Sequence, residues 1–444
     1  MSERIVTDSN NGTDPRPSVD QDPNLLDDSD IAKIISRKTG GSGDSVINWR
    51  LEPITSTCGF MGSYYQLIVT VNNNNANQND NSSSDSTILY FFAKTPPPKG
   101  PQREFTQRTG LFNKEIVMYD EIIPRMGSGF EAKWSPDCYL CKRDVIIVME
   151  DLKHQNYTTL DKYVAFDYEV LECLFESFAR FHSRSFILEE RLRVQGKTLR
   201  DIWPDQLREG LFSNNERSML YQKSSLMGID CLVNAIDCLT DNQKEITMSK
   251  ITRWWECLLT ALEPSRKYRN VICHRDVWSA NFMFLTNELG KPINCRLIDF
   301  QYYSYLNPAM DLILSLYMIT NRNVRDKYFD ILVQHYYNCL KQCLYNESFD
   351  VDKILPWDDF KQSCQDARPW GLIYIIFNQQ VTLLDDDACE KYFARSPQLL
   401  EHVLYGTART ELVSMQFQNN HLYREKFTEN IFEIFQLLPD QVQV

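Results

Sequence analysis

The chain has 444 residues, 43% hydrophobic and 24% charged, as expected of a globular protein with two or three domains or one large two-lobed one. A formal net charge of −13 argues against a nucleic-acid surface, because neutralising phosphates needs clustered Lys and Arg. No run of about 18 uncharged apolar residues predicts a membrane span, and no signal-type apolar core follows Met1, so the 13 cysteines are expected as reduced thiols of a cytoplasmic protein.

In chain order, residues 1–29 are rich in Asp, Asn, Pro and Ser and are expected to form a disordered tail. Ile31 to Ile35 reads as a helical turn or two, ended by Gly40-Gly-Ser-Gly43. Period-two patterning then predicts strands at Val46–Ile54, Tyr64–Val71 and Thr87–Lys94. Between the first two, Cys58-Gly59-Phe-Met-Gly62 followed by Ser63 reads either as a flap whose N–H groups cover phosphates or as an ordinary hairpin turn. The Asn/Ser-rich insertion 72–86 reads as a mobile surface loop. Lys94 ends a strongly apolar strand, where an ammonium is costly unless it meets anions or snorkels to water. Glu115, on the helical stretch Leu111–Tyr119, is placed to face it.

Cys138 to Met149 reads as two more strands, and Cys138-x-x-Cys141, with no second pair at zinc spacing, reads as packing. Polarity changes sharply at Glu150-Asp151, which is the expected lobe boundary. Beyond it, Leu171, Leu174, Phe175, Phe178 and His182 share one face of a buried helix, and His182 reads as a hydrogen-bonded core histidine. Residues 187–260 and Met310 to Leu438 read as mostly helical, with breaks near Pro356, Pro369 and Pro397.

Between the helical stretches lies Val271-Ile-Cys-His-Arg-Asp276, continuing to Asn281, then a hairpin turning at Asn287-Glu-Leu-Gly290 and ending at Asp299. His-x-Asp-x4-Asn is expected from composition alone only about 0.03 times per chain. The turn brings Asn281 and Asp299 to the same end of two paired strands, where both can reach one hard cation. Asp276, on the loop before them, can accept a hydrogen bond from a hydroxyl. Phosphotransferases use this arrangement.

Together with Phe92-Ala-Lys-Thr-Pro96, Phe112-x-x-Glu115-x-x-x-Tyr119, Val148-Met-Glu-Asp-Leu152, Ala179-Arg-Phe-His182 and Leu297-Ile-Asp-Phe-Gln301, this stretch resembles the ecdysteroid-kinase-like, or choline-kinase-like (CHK), kinases of the protein-kinase-like superfamily. The resemblance implies an α+β, two-lobed protein-kinase-like fold: a small antiparallel β N-lobe over 30–150 and a large, mainly helical C-lobe over 151–444, with its catalytic loop at 271–301. It implies ATP and Mg²⁺ as cofactors, Lys94 on the phosphates with Glu115 positioning it, Asp276 as catalytic aspartate, and Asn281 and Asp299 as Mg²⁺ ligands. His274 would hold the loop in shape, and Asp311 would cap and brace it from a helix start. Gly59, Gly62 and Ser63 would line the flap, and the backbone of Glu150 and Leu152 would meet adenine.

The flap is a loose version of the family's Gly-rich turn, and Arg275 stands where many relatives carry Gly. His-Arg-Asp is a protein-kinase spelling, but only eight residues separate Asp299 from Pro308, too few for a peptide-docking activation segment. The acceptor is therefore expected to be a small-molecule hydroxyl bound between the loop and the C-terminal helices, and the resemblance implies an ecdysteroid or another lipophilic alcohol. Arg368-Pro-Trp-Gly371, Tyr374 and Phe377 read equally as its walls or as core. A second reading, motivated by the irregular flap, is a weak or inactive kinase-fold protein acting by ligand or partner binding.

Overall fold

Asp27 starts the first helix, α1 (Asp28–Thr39), through a capping box: its carboxylate accepts from the Asp30 N–H at 2.9 Å and Asp30 returns the bond at 3.2 Å. Gly40, at φ +67°, ends it. The computed structural model describes residues 25–41, 45–54, 62–72, 86–127, 129–394 and 397–442. The helix thus begins inside the stretch read as disordered from composition, because local capping and three buried isoleucines outweigh the polar flank. Residues 1–24, the flap residue Gly59 and most of the Asn/Ser insertion lie outside the described residues.

The period-two segments form β1 (Ser45–Pro53), β2 (Ser63–Asn72) and β3 (Ser86–Thr95). After α2 (Pro101–Thr109), α3 (Leu111–Val117) and α4 (Ile123–Met126), the chain adds β4 (Cys138–Lys142) and β5 (Ile146–Glu150). One π turn, Met118–Ile122, joins α3 to α4. The sheet order is β1-β2-β3-β5-β4, antiparallel throughout. Ile31, Ile34 and Ile35 of α1 close one face of it against Leu67, Val69, Phe91 and Val148, each burial contributing about 1.5–3 kcal/mol. The Cys138 and Cys141 sulfurs lie 3.5 Å apart as packed free thiols.

Helices dominate from there: α5 (Tyr168–Arg193), α6 (Leu199–Ile202), α7 (Glu216–Asn234), α8 (Asp241–Glu256) and α9 (Leu258–Ala261). The central stretch forms two small antiparallel pairs, β6 (Val271–Cys273) with β9 (Ser304–Leu306), and β7 (Phe282–Thr286) with β8 (Pro292–Leu297). At the hairpin turn the Asn287 side chain accepts from the Leu289 and Lys291 N–H groups, and Gly290 takes φ +77°. The chain ends in α10 (Pro308–Ile319), α11 (Arg322–Asn346), α12 (Val351–Ile354), α13 (Trp357–Thr382), α14 (Asp386–Cys389), α15 (Pro397–Tyr405), α16 (Ala408–Asn419) and α17 (His421–Leu437).

Two expectations change here. Pro369 lies inside α13 and does not break it. A proline in a helix interior costs about 3 kcal/mol, and the apolar packing around it offsets that: Ala367, Trp370 and Leu372 are all buried in the main core. Asn307, not Asp311, caps α10, accepting from the Ala309 N–H at 2.8 Å.

Candidate active site

The register of the sheet places Tyr64, Lys94 and Ile147 in one row across β2, β3 and β5, so Lys94 emerges at the end of the middle strand. Its Nζ lies 2.6 Å from Glu115 Oε2 on α3 and 2.8 Å from Asp299 Oδ1 just beyond β8. Lys94 is 3% exposed, which rules out a snorkelling edge lysine. Burial disfavours the ammonium, but the charges of Asp299 and Glu115 outweigh it and raise its pKa, so Lys94 stays charged. Gly62, just before β2, packs against the same residue: a Cβ there would sit 3.4 Å from Lys94 Cε and 3.1 Å from the Thr95 carbonyl. Ser63 heads β2 opposite Thr95, and its carbonyl accepts from the Thr95 hydroxyl at 3.5 Å.

The loop after β6 is held by buried polar groups. Asp311 on α10 accepts the His274 N–H at 2.5 Å and the Arg275 N–H at 2.9 Å. His182 of α5 lies against the same carboxylate at 3.2 Å, and its other ring nitrogen meets the Tyr336 hydroxyl at 2.8 Å. Burial opposes ionisation of Asp311, yet the contact with His182 and its other partners hold its pKa below the ordinary value. His182 is therefore a core histidine with a positioning role that its helical spacing did not disclose. His274 Nε2 donates to the Ile298 carbonyl at 2.8 Å, and Nδ1 faces the Asp276 N–H at 3.3 Å. That is a neutral tautomer, in keeping with burial pushing the His274 pKa down.

Two non-glycine residues here take left-handed backbone, Arg275 at φ +72° and Asp299 at φ +63°. Such strain gathers at functional sites. Arg275 is held in this conformation by Asp311 at its N–H, by the Tyr374 hydroxyl at its carbonyl (2.7 Å) and by Glu209 near its guanidinium (3.5 Å).

Asp276, Asn281 and Asp299 line one cavity of about 500 Å³ with Lys94 and Glu115. Asn281 Nδ2 donates to the Asp276 carbonyl at 2.9 Å, so its oxygen is the atom it can offer a cation, and its own carbonyl accepts the Ile298 N–H at 3.1 Å. Burial, then the nearby charge of Asp299, raises the Asp276 carboxyl to about 7. Three carboxylates thus face one ammonium, and the donor set is all oxygen, which suits a hard divalent cation such as Mg²⁺.

Phe92, Met149, Met283 and Ile298 give the cavity an apolar slot beside the connector Glu150–Leu152. The Glu150 N–H donates to the Asp137 carbonyl, and the Leu152 carbonyl accepts from Gln155 and Tyr157. On the other side of Asp276 the walls are Phe212, Tyr221, Tyr302, Tyr374 and Phe377, with Glu209 and Arg275 as polar groups. Tyr374 and Phe377 are therefore walls, whereas Arg368 lies over the Phe329 ring and Trp370 meets Trp254 edge to face, away from this cavity. Glu209, Phe212 and Tyr221 were missed: the first two come from the irregular segment between α6 and α7 and the third from α7, and neither stretch carries a motif.

The ecdysteroid kinase-like family matches residues 59–348, more than half of the chain. No curated protein sequence matches. Among solved structures, the GDP and kanamycin complex of APH(2″)-IIia aligns with a TM-score of 0.35 and 12% identity, over 88% of this chain and 99% of that one. With the family's motifs gathered around one cavity and its sequence pattern spanning both lobes, the chain belongs to the ecdysteroid kinase-like family.

Proposed function

We propose that the protein is an ATP- and Mg²⁺-dependent cytoplasmic kinase that phosphorylates a hydroxyl of a lipophilic small molecule, with ecdysteroids the first class to test. The observation that carries this reading is Lys94 held between Glu115 and Asp299, at 2.6 and 2.8 Å, beside Asp276 in the same cavity. Lys94 receives the phosphates of ATP, with Glu115 keeping its ammonium pointed at them. The apolar slot takes adenine, and the Glu150 carbonyl and Leu152 N–H meet its edge. Asn281 and Asp299 are the residues that would hold Mg²⁺, which when bound neutralises charge on the phosphate oxygens. Asp276 orients the acceptor hydroxyl and takes its proton as the new O–P bond forms and the bond from the γ-phosphorus to the β,γ-bridging oxygen breaks, with ADP as the leaving group. A cavity of about 500 Å³ lies within the range of roughly 300–1,000 Å³ usual for small-molecule sites, and its aromatic walls favour a flat or ring-bearing alcohol. No helix among the described residues is long and apolar enough to cross a membrane.

The test is a thermal-shift titration with Mg·ATP, followed by a screen of hydroxylated lipophilic acceptors with γ-labelled ATP. Nucleotide must raise the melting temperature only with Mg²⁺ present. Asp299→Asn must remove that dependence and all turnover. A variant that turned over a confirmed acceptor at the wild-type rate would sink the assignment. No shift at millimolar nucleotide would favour a kinase fold that works by binding some other ligand or partner.

A further inference from the structure

On the far side of α5 from the loop, α5 and α11 each present two ligating side chains four residues apart, Glu172 and Glu176 facing His335 and Cys339. Spacing of i, i+4 puts each pair on one helix face, and the faces meet. His335 Nε2 lies 3.6 Å from Glu176 Oε1 and 3.7 Å from Cys339 Sγ, and the three ligand atoms all fall within 4.8 Å of one another. Metal–ligand bonds of about 2.0–2.3 Å in a tetrahedron place donors roughly 3.3–3.8 Å apart, so the two distances from His335 Nε2 already match the edge length of a tetrahedral site. The second carboxylate oxygen of Glu176 is occupied by Arg180 at 3.7 Å, leaving Oε1 for the cluster. The other imidazole nitrogen, Nδ1, faces Glu172 Oε1 at 3.9 Å, the outer carboxylate that usually orients a metal-bound histidine.

We propose that Glu176, His335 and Cys339 bind one Zn²⁺, with Glu172 orienting His335 and water completing the coordination. The ligand set of thiolate, imidazole and carboxylate selects a borderline-soft ion and is unlike the all-oxygen set around Asp276. On ligation the Cys339 thiol proton leaves to solvent. The ligands are half-buried, and three protein donors leave one position open, so the ion exchanges with the medium and is not a folding requirement. Its consequence lies one residue away. Tyr336, next to His335, holds His182, and His182 holds the Asp311 that fixes the catalytic loop. The ion fastens α5 to α11 where this brace crosses between them.

The experiment uses the full chain after chelator treatment, without nucleotide, titrated with Co²⁺ as the spectroscopic probe. Wild type should develop a thiolate-to-Co²⁺ charge-transfer band and tetrahedral d–d absorption at one equivalent, both displaced by Zn²⁺. Cys339→Ser should lose the charge-transfer band, and His335→Ala should weaken Zn²⁺ binding by about tenfold or more, since even outer partners of a metal site are worth about 10–100-fold. Zn²⁺ should raise the wild-type melting temperature by several degrees and raise that of both variants clearly less at the same concentration. Cys238→Ser, at an exposed thiol elsewhere, should behave as wild type. Glu176→Gln keeps the side chain's shape, so its loss of affinity separates ligation from misfolding. A thiolate band that persists in Cys339→Ser, or no such band in wild type, would overturn the proposal.

Discussion

Asp276 carries a charge that folding makes expensive and chemistry makes useful. Burial and the charge of Asp299 raise it to about 7, so the empty site bears a cost that substrate and cation relieve. Asp276→Asn keeps the shape and removes the charge. Its turnover should fall by about 10²–10⁴, the usual contribution of a positioned base, while its nucleotide-free melting temperature equals or exceeds that of wild type. Rate assays paired with melts of the same preparations test both halves, and a variant both inactive and clearly less stable would contradict the argument. Lys114, the neighbour of Glu115, makes a pH prediction. Burial lowers its pKa to about 8, opposed by Glu209 and reinforced by Arg275, while its ammonium donates to the Arg208 carbonyl at 2.8 Å. Below pH 8 the ammonium is charged in both folded and unfolded chains, and folding bears its full desolvation. Between 8 and the unfolded value near 10.5 the folded chain releases its proton first, so stability from this group rises with pH. The difference amounts to about 3 kcal/mol. Lys114→Met should therefore gain most over wild type at pH 7 and lose that gain by pH 10, as read from denaturant midpoints at the two values.

At the scale of elements, the strands and the central hairpin were legible because alternation and turn chemistry are local. The individual strands of the first sheet, the Asn287–Gly290 turn and the α10 start after Asn307-Pro308 all follow from residues within a few positions of each other. The long-range contacts were not legible. Nothing near Pro369 in sequence announces the core that carries α13 through it, and nothing around Glu209 or Phe212 announces that a segment without period lines the cavity. The brace between elements was half legible: Asp311 was identified, but its partner His182 read only as core. That brace is testable. Asp311→Ala leaves the buried N–H groups of His274 and Arg275 and the ring of His182 without their acceptor. Unpaired buried donors cost about 1–3 kcal/mol each, so a loss of about 3–5 kcal/mol in unfolding free energy is expected. Activity should fall further than stability explains, because the loop loses the αL geometry at Arg275. Full activity in a folded Asp311→Ala protein would remove the bracing role.

At the scale of the whole molecule, the sequence boundary at Glu150–Asp151 divides two lobes by composition, but the apolar core does not respect it. The sheet and α1 keep a small core of their own. The helices that follow β3 do not join it: Phe105, Leu111, Phe112, Ile116, Met118, Tyr119, Ile122 and Met126 pack instead into the large core with Phe178, Phe181, Phe300 and Leu306 of the helical lobe. The edge-to-face contact of Tyr119 with Phe300 and the Lys94–Asp299 ion pair cross the same seam. Eight apolar side chains at about 1.5–3 kcal/mol each amount to an upper estimate of roughly 12–24 kcal/mol. Even half of that rivals the total stability of a domain, about 5–15 kcal/mol. Residues 30–150 are thus not expected to fold as a unit on their own. A fragment of residues 30–150 should show no cooperative thermal transition and should bind apolar dyes, whereas the full chain without ligand should melt in one transition by both calorimetry and circular dichroism. Independent, cooperative folding of the fragment would mean that the small core under α1 is sufficient, and that the shared packing serves only to align Lys94 with Asp299.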